Sequence, residues 1–233
     1  MTHPLIAALD DTFQKVRSKD WPLSDRLRAI AEEVRLRSPE FADAVDTFVG
    51  RLEAARAGTG APQVGDLMPG FTMPDQDGTL ISLDEILERG PAVLAFHRGH
   101  WCPYCRLNMV GLAEIQGQLG DARIYAISAE LQPYTRKLRA ESGARFPFLT
   151  DIDGGYALAA GLVIWVDEVM SAMIAGAGWD IPGYQGGAGW LLPVPSVFIL
   201  DRDGIVRTRH VDPDYRRRMG LDSIVAGVRA LAD

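Results

Sequence analysis

Apolar positions in the first fifty residues recur three and four apart. Leu5, Leu9, Phe13 and Val16 form one helical stripe, and Leu27, Ile30, Ala31 and Val34 a second. Phe41, Val45, Phe48, Val49 and Leu52 form a third. Trp21-Pro22 separates the first two, and Ser24 is a candidate cap for the second. Ser38-Pro39 places a capping residue before a proline at the first helical position. Residues 58–62 read as a linker. The pattern predicts a helical extension over 1–60 ahead of a domain over 61–233. Its amphipathic faces must pack on that domain or on a second subunit, and a homodimer is the ordinary way to do the latter.

From Val64 onward, Pro and Gly punctuate shorter runs. Strands are predicted over 80–83, 91–96, 123–128, 146–149, 196–200 and 205–210. Helical patterns cover 83–87, 102–119, 132–142 and 221–231, with a Met-rich stretch over 155–177 that reads as mostly helical. Residues 183–189 read as a Gly-rich loop, and Asp201-Arg202-Asp203-Gly204 as a tight turn between the last two strands. Strand, helix, strand, helix, then a hairpin and a last helix is an α/β order, a central sheet flanked by helices.

Composition narrows the function classes. The 233 residues are 47% hydrophobic and 24% charged, enough for a sizeable core. A net charge of −7 offers no basic field for nucleic acid or an anionic membrane surface. The uncharged apolar stretch over 155–166 stops at Asp167, too short to cross a bilayer. The first residues lack a secretory leader pattern, so a soluble, cytoplasmic protein is expected.

The two cysteines, Cys102 and Cys105, carry the chemistry. A lone Cys-x-x-Cys in a cytosolic chain points to redox work. This pair follows a buried strand and opens a helix, where free backbone N–H groups and the macrodipole favour a thiolate. Cys102, nearer the helix start, is expected to attack and Cys105 to resolve. Structural zinc needs four ligands; His97, His100 and His210 stand at no finger spacing. Two inert core cysteines are the bland alternative. Arg98 is a candidate to stabilise the thiolate, with an ion pair beneath the loop as the other reading. His100, and to a lesser degree His97, are candidates for proton transfer. Trp101 shields the pair. Glu130 reads as a helix-start carboxylate. The charged tail 212–218 reads as solvated ion pairs. Trp179, Tyr184 and Trp190 read as a lid or as anchors of a surface loop.

Several motifs together resemble the peroxiredoxin-like branch of the thioredoxin fold, the AhpC/TSA or redoxin superfamily. Gly65-Asp66-x-x-Pro69-x-Phe71-x-x-Pro74-Asp75-x-x-Gly78 is similar to its opening. Phe96-x-Arg98-Gly99-x-Trp101-Cys102-Pro103-Tyr104-Cys105 resembles the site signature of a two-cysteine subgroup. The run 195–204 resembles the fold's late strand and turn, and Asp212, Asp214, Tyr215, Arg217 and Arg218 the subgroup's tail. The resemblance implies a thiol-dependent oxidoreductase with a peroxide or disulfide substrate, a thioredoxin-like reductant and no metal or organic cofactor. It places Pro195 where such folds carry a cis-proline facing the cysteines, with Pro193 competing. Catalysis is thus expected from Cys102, Cys105, Arg98 and Pro195, and substrate contact from Trp101 and His100. Two departures stand out. Typical members show Pro-x-x-x-Thr-x-x-Cys; in one register Cys105 takes the cysteine place, Cys102 the threonine and Arg98 the proline. The late position often filled by arginine is Pro195. A disulfide reductase with little peroxidase activity and a redox-sensing binding module are the alternative readings.

Overall fold

Three helices open the chain in the computed structural model, which describes residues 3–231. They are α1 (Pro4–Val16), α2 (Leu23–Arg37) and α3 (Pro39–Ala54). The predicted stripes are their buried faces. The caps differ from expectation: α2 begins before Ser24, behind Pro22, and Ser38 sits at the N-cap of α3 without a side-chain hydrogen bond. Packing therefore holds these helices more than capping does.

The next elements are β1 (Thr72–Pro74), β2 (Leu80–Ser82) and α4 (Leu83–Glu88). A reciprocal capping box between Ser82 and Glu85 starts α4. Then follow β3 (Ala92–Phe96), α5 (Pro103–Ile115), β4 (Arg123–Ser128), α6 (Gln132–Ser142) and β5 (Phe148–Thr150). The Met-rich stretch is not one helix. It holds α7 (Gly155–Ala159), β6 (Val163–Trp165) and α8 (Glu168–Ala177), because β6 pairs antiparallel with β7 (Leu191–Pro193). Part of the predicted Gly-rich loop is helical: α9 (Ile181–Gln185) precedes β7. The chain closes with β8 (Ser196–Leu200), β9 (Val206–Val211) and α10 (Leu221–Arg229).

The central sheet has the order β5-β4-β3-β8-β9. β3 runs parallel to β4 and antiparallel to β8, so the sheet is mixed. Every side chain of β3 is buried, as a central strand covered on both faces requires. Alternation divides them. Ala92, Leu94 and Phe96 face a core shared with α1, α2, α3 and α8. Val93 and Ala95 face Leu112 of α5, Leu138 of α6 and Ile224 of α10. The N-terminal helices thus share a core with the sheet, the first of the two expected packings. Arg26 of α2 fixes this docking: its guanidinium forms a two-pronged bond with Glu114 of α5, at 2.7 and 3.0 Å.

Candidate active site

β3 ends at Phe96, and a five-residue loop leads to Cys102, the N-cap of α5. Pro103 occupies the first helical turn, where its missing N–H costs nothing. Gly99 makes the loop possible. Its φ is +134°, and a Cβ there would stand 2.5 Å from Glu130 Cδ. Only glycine meets both conditions.

Both cysteines are reduced and buried. The helix-start argument places the charge on Cys102, whereas the contacts around the two sulfurs favour Cys105. Cys105 Sγ accepts the Arg98 backbone N–H at 3.3 Å and faces Arg218 Nη2 at 3.6 Å. Burial works against a Cys105 thiolate, but the hydrogen bond from Cys102, the Arg218 and Arg98 charges and the Arg98 N–H outweigh it, and its pKa falls to about 5. Burial pushes the Cys102 thiol well up, and its hydrogen bond to Cys105 holds the proton there. The donors around Cys105 thus favour the negative charge there, and burial favours the proton on Cys102.

Arg98 explains why an anion is needed. It is 4% exposed and, among the described residues, pairs with no carboxylate. Its guanidinium lies 3.8 Å from the Tyr215 ring centre and 4.9 Å from that of Trp101. Nε and Nη1 have no acceptor. A buried cation without a counter-charge is costly, so the thiolate is its natural partner. The ion-pair reading of Arg98 fails on this geometry.

A second buried pair braces the loop. Glu130, which is fully buried, accepts the His100 N–H at 2.7 Å, and its other oxygen lies 2.6 Å from His100 Nδ1. Burial raises the Glu130 pKa, and the His100 contacts oppose that rise. Glu130 is thus not a helix-start carboxylate; it lies ahead of Leu131, the N-cap of α6. The His100 ring stacks on Tyr134 and meets Tyr184 edge-on. Tyr184 and the buried Trp179 are therefore packed anchors. His97 is buried with both ring nitrogens unpartnered, and burial, Arg218 and His100 lower its pKa to about 3, so it is neutral.

Pro195 does not match its expectation. The described peptide bonds are all trans, Pro195 included. Ser196 pairs with Phe96, which sets Pro195 beside the end of β3, but no hydrogen bond or cavity wall links it to the sulfurs. Trp101 Nε1 donates to the Arg98 carbonyl at 3.1 Å, and Trp101 lines the cavity beside Cys102. Sequence reasoning missed Arg218 and Tyr215 as site residues; the likeness to the subgroup's tail was the available signal.

Beside the pair lies a cavity of about 670 Å³. Arg98, Trp101 and Cys102 form one part of its wall, and residues of α1, α2, α3 and α8 much of the rest. Cys105 lies behind Cys102 and does not line it. No group of three or more potential metal ligands occurs among the described residues, and no described helix is long and apolar enough to cross a membrane.

Comparison with known proteins bears on the fold and the family. Two curated relatives from Mycobacterium tuberculosis strains, provisionally named peroxiredoxins, are 26% identical over 102 residues, 43% of this chain. The match spans 66% of their own length. Among solved structures, peroxidoxin BcpB of M. tuberculosis superposes with a TM-score of 0.57 at 22% identity, covering 73% of this chain and 98% of that one. A peroxiredoxin-like protein from Aquifex aeolicus gives 0.57 at 16% identity, covering 73% and 88%. These likenesses show the thioredoxin-like fold of peroxiredoxins. The AhpC/TSA family profile matches residues 64–209, more than half of the chain, and to that family the protein belongs.

Proposed function

We propose that the protein is a thiol peroxidase that reduces hydroperoxides through Cys102 and Cys105. The observation that supports this reading is the setting of the cysteine pair: Cys105 Sγ accepts the Arg98 N–H and faces Arg218, while Cys102 stands on the cavity wall. The peroxide enters on the Cys102 side. The Cys102 proton passes along the hydrogen bond to Cys105, and the Cys102 sulfur attacks the terminal peroxide oxygen. The O–O bond breaks; the departing RO⁻ takes the proton from Cys105 and leaves as ROH. Cys102 is now a sulfenic acid, and Cys105 is again a thiolate. Cys105 attacks the Cys102 sulfur, forms the disulfide and expels hydroxide. Cys105 thus serves first as base and then as resolving nucleophile.

A dithiol protein of thioredoxin type would restore the pair by exchange. Burial of both sulfurs, with Cys102 reachable only from the cavity, favours a peroxide over a protein disulfide as the oxidant. Cys102 is 1% exposed, too little for a folded partner to reach its sulfur in this conformation.

Stopped-flow mixing of reduced protein with peroxide, followed by tryptophan fluorescence and mass spectrometry, tests the reading. Wild type should react far faster than a free thiol and end as a disulfide. Cys105→Ser should accumulate sulfenic acid on Cys102, and Cys102→Ser should lose the fast reaction. A fast reaction in Cys102→Ser that leaves sulfenic acid on Cys105 would reverse the assignment. A free-thiol rate in wild type would refute the peroxidase.

A further inference from the structure

We propose that Tyr215 and Trp101 form an aromatic cage that keeps the Arg98 charge available to the cysteine sulfurs, and that Tyr215 is a positioning residue for the pair. The proposal goes beyond the peroxidase reading, since it holds whichever oxidant the pair meets.

A buried arginine ordinarily sits against a carboxylate. Among the described residues, Arg98 has no such partner. The acidic side chains near the pair are engaged elsewhere: Glu130 by His100, at 2.7 and 2.6 Å, and Asp214 by Arg216, at 2.8 and 3.0 Å. The Arg98 guanidinium faces two rings instead, 3.8 Å from the Tyr215 centre and 4.9 Å from the Trp101 centre. Each ring is fixed by a further contact. Tyr104, from within the Cys-x-x-Cys run, meets Tyr215 edge-on at 5.4 Å, and Trp179 packs on Trp101 at 5.8 Å. Tyr215 follows Asp214, whose partner Arg216 also binds Asp46 of α3. The tail is thus tied to the extension at the point where it covers Arg98.

A ring face and a carboxylate hold a cation differently. The face attracts it through a quadrupole and carries no net charge. A carboxylate in the same place would cancel the field that Arg98 exerts on the sulfurs. Burial pushes the Tyr215 and Tyr104 phenols up, so both rings stay uncharged at neutral pH. The other titratable groups around the sulfurs leave the field in place. Arg218 adds to it, His97 is neutral, and Glu130 is met by His100. The described contacts give Tyr215 no hydrogen bond to either sulfur, so it acts through Arg98.

Reduced wild type, Tyr215→Phe, Tyr215→Leu, Tyr215→Glu and Trp101→Leu would be titrated by ultraviolet thiolate absorbance and by the pH dependence of alkylation with iodoacetamide, a small uncharged reagent. Circular dichroism and urea unfolding check that each variant folds. Tyr215→Phe keeps the ring face and should keep the wild-type midpoint of about 5. Tyr215→Leu removes the face and should weaken thiolate formation about 10-fold, or about one pH unit. Tyr215→Glu sets a carboxylate against Arg98 and should raise the midpoint further. A merely structural role would lower the urea stability of Tyr215→Leu and leave its midpoint unmoved, and that result would overturn the proposal. An equal rise in Tyr215→Phe and Tyr215→Leu would also overturn it, by assigning the effect to the phenol oxygen. Where Tyr215→Leu does not fold, Tyr215→Glu and Trp101→Leu decide the question through the added charge and the other face, and unmoved midpoints in both would overturn the cage. Free-thiol rates with peroxide beside the expected shifts would overturn the peroxidase reading and leave the cage standing.

Discussion

The backbone N–H of Arg98 donates to Cys105 Sγ at 3.3 Å, from the place that the typical family signature fills with proline. Proline has no N–H to give. The departure that looked like a weakness in the sequence therefore supplies a donor, and the side chain adds a buried cation beside the same sulfurs. Two substitutions separate these contributions. Arg98→Met keeps the N–H and removes the charge; Arg98→Pro removes both. A charge-assisted contact of about 1.5–3 kcal/mol corresponds to roughly 10- to 100-fold. The peroxide rate at pH 7 should fall by that factor in Arg98→Met and further in Arg98→Pro, measured by single-turnover stopped flow.

The same contacts set the pH profile. A free thiol titrates near 8.5, whereas Cys105 loses its proton at about 5. Peroxide reactivity, and thiolate absorbance in the ultraviolet, should rise through about pH 5 and stay level toward neutrality. The linkage sign follows. A depressed folded pKa contributes stability that is complete above the unfolded value and is lost as pH falls to about 5. Unfolding free energy from the wild type minus that from Cys105→Ser should therefore increase with pH between about 5 and 8. A rate profile with its midpoint near 8.5 would show that the thiolate is not held as described.

Gly99 and Glu130 form a steric and polar lock on the loop before the pair. An added Cβ at Gly99 meets Glu130 Cδ at 2.5 Å on a backbone with φ +134°. Gly99→Ala should destabilise by more than about 1–3 kcal/mol, since strain and clash add. Glu130→Gln turns an acceptor of two His100 donors into a group that also presents an N–H₂ to them. It should cost about 1–3 kcal/mol. Urea unfolding gives both numbers. Unchanged stability in Gly99→Ala would mean that the loop relaxes freely.

Much of this arrangement is legible in the sequence. The stripes of Leu5 to Val16 and Phe41 to Val49 give the extension, because helix burial repeats every three to four residues. The run ending at Phe96, followed by Cys-x-x-Cys, places the pair at a strand–helix junction. What is not legible depends on non-local pairing. β6 is hidden in an apolar stretch, since Val163 to Trp165 becomes a strand only by pairing with Leu191 to Pro193. Glu130 reaches His100 across 30 residues, and Arg218 reaches Cys105 across 113. The position of the charge was misread for a related reason. Distance along α5 favours Cys102, but the loop folds the Arg98 N–H back onto Cys105.

The docking of the extension rests on one partly exposed ion pair, Arg26–Glu114. Arg26 is 5% exposed, and besides Glu114 it bonds to the carbonyls of Trp21 and Arg17. Its partner Glu114 is 39% exposed at the side chain, so solvent weakens the pair relative to a fully buried one. Glu114→Gln should therefore cost about 1–2 kcal/mol, less than the 3–5 expected when a fully buried pair is broken. α2 carries cavity-wall residues Val34 and Leu36 on the same helix as Arg26. Loosening α2 should leave the pair's titration through about pH 5 in place, because Arg98 and Arg218, which hold the Cys105 charge, lie outside that helix. A titration midpoint displaced from about pH 5 in Glu114→Gln would mean that the docked extension, and not the loop alone, holds the thiolate.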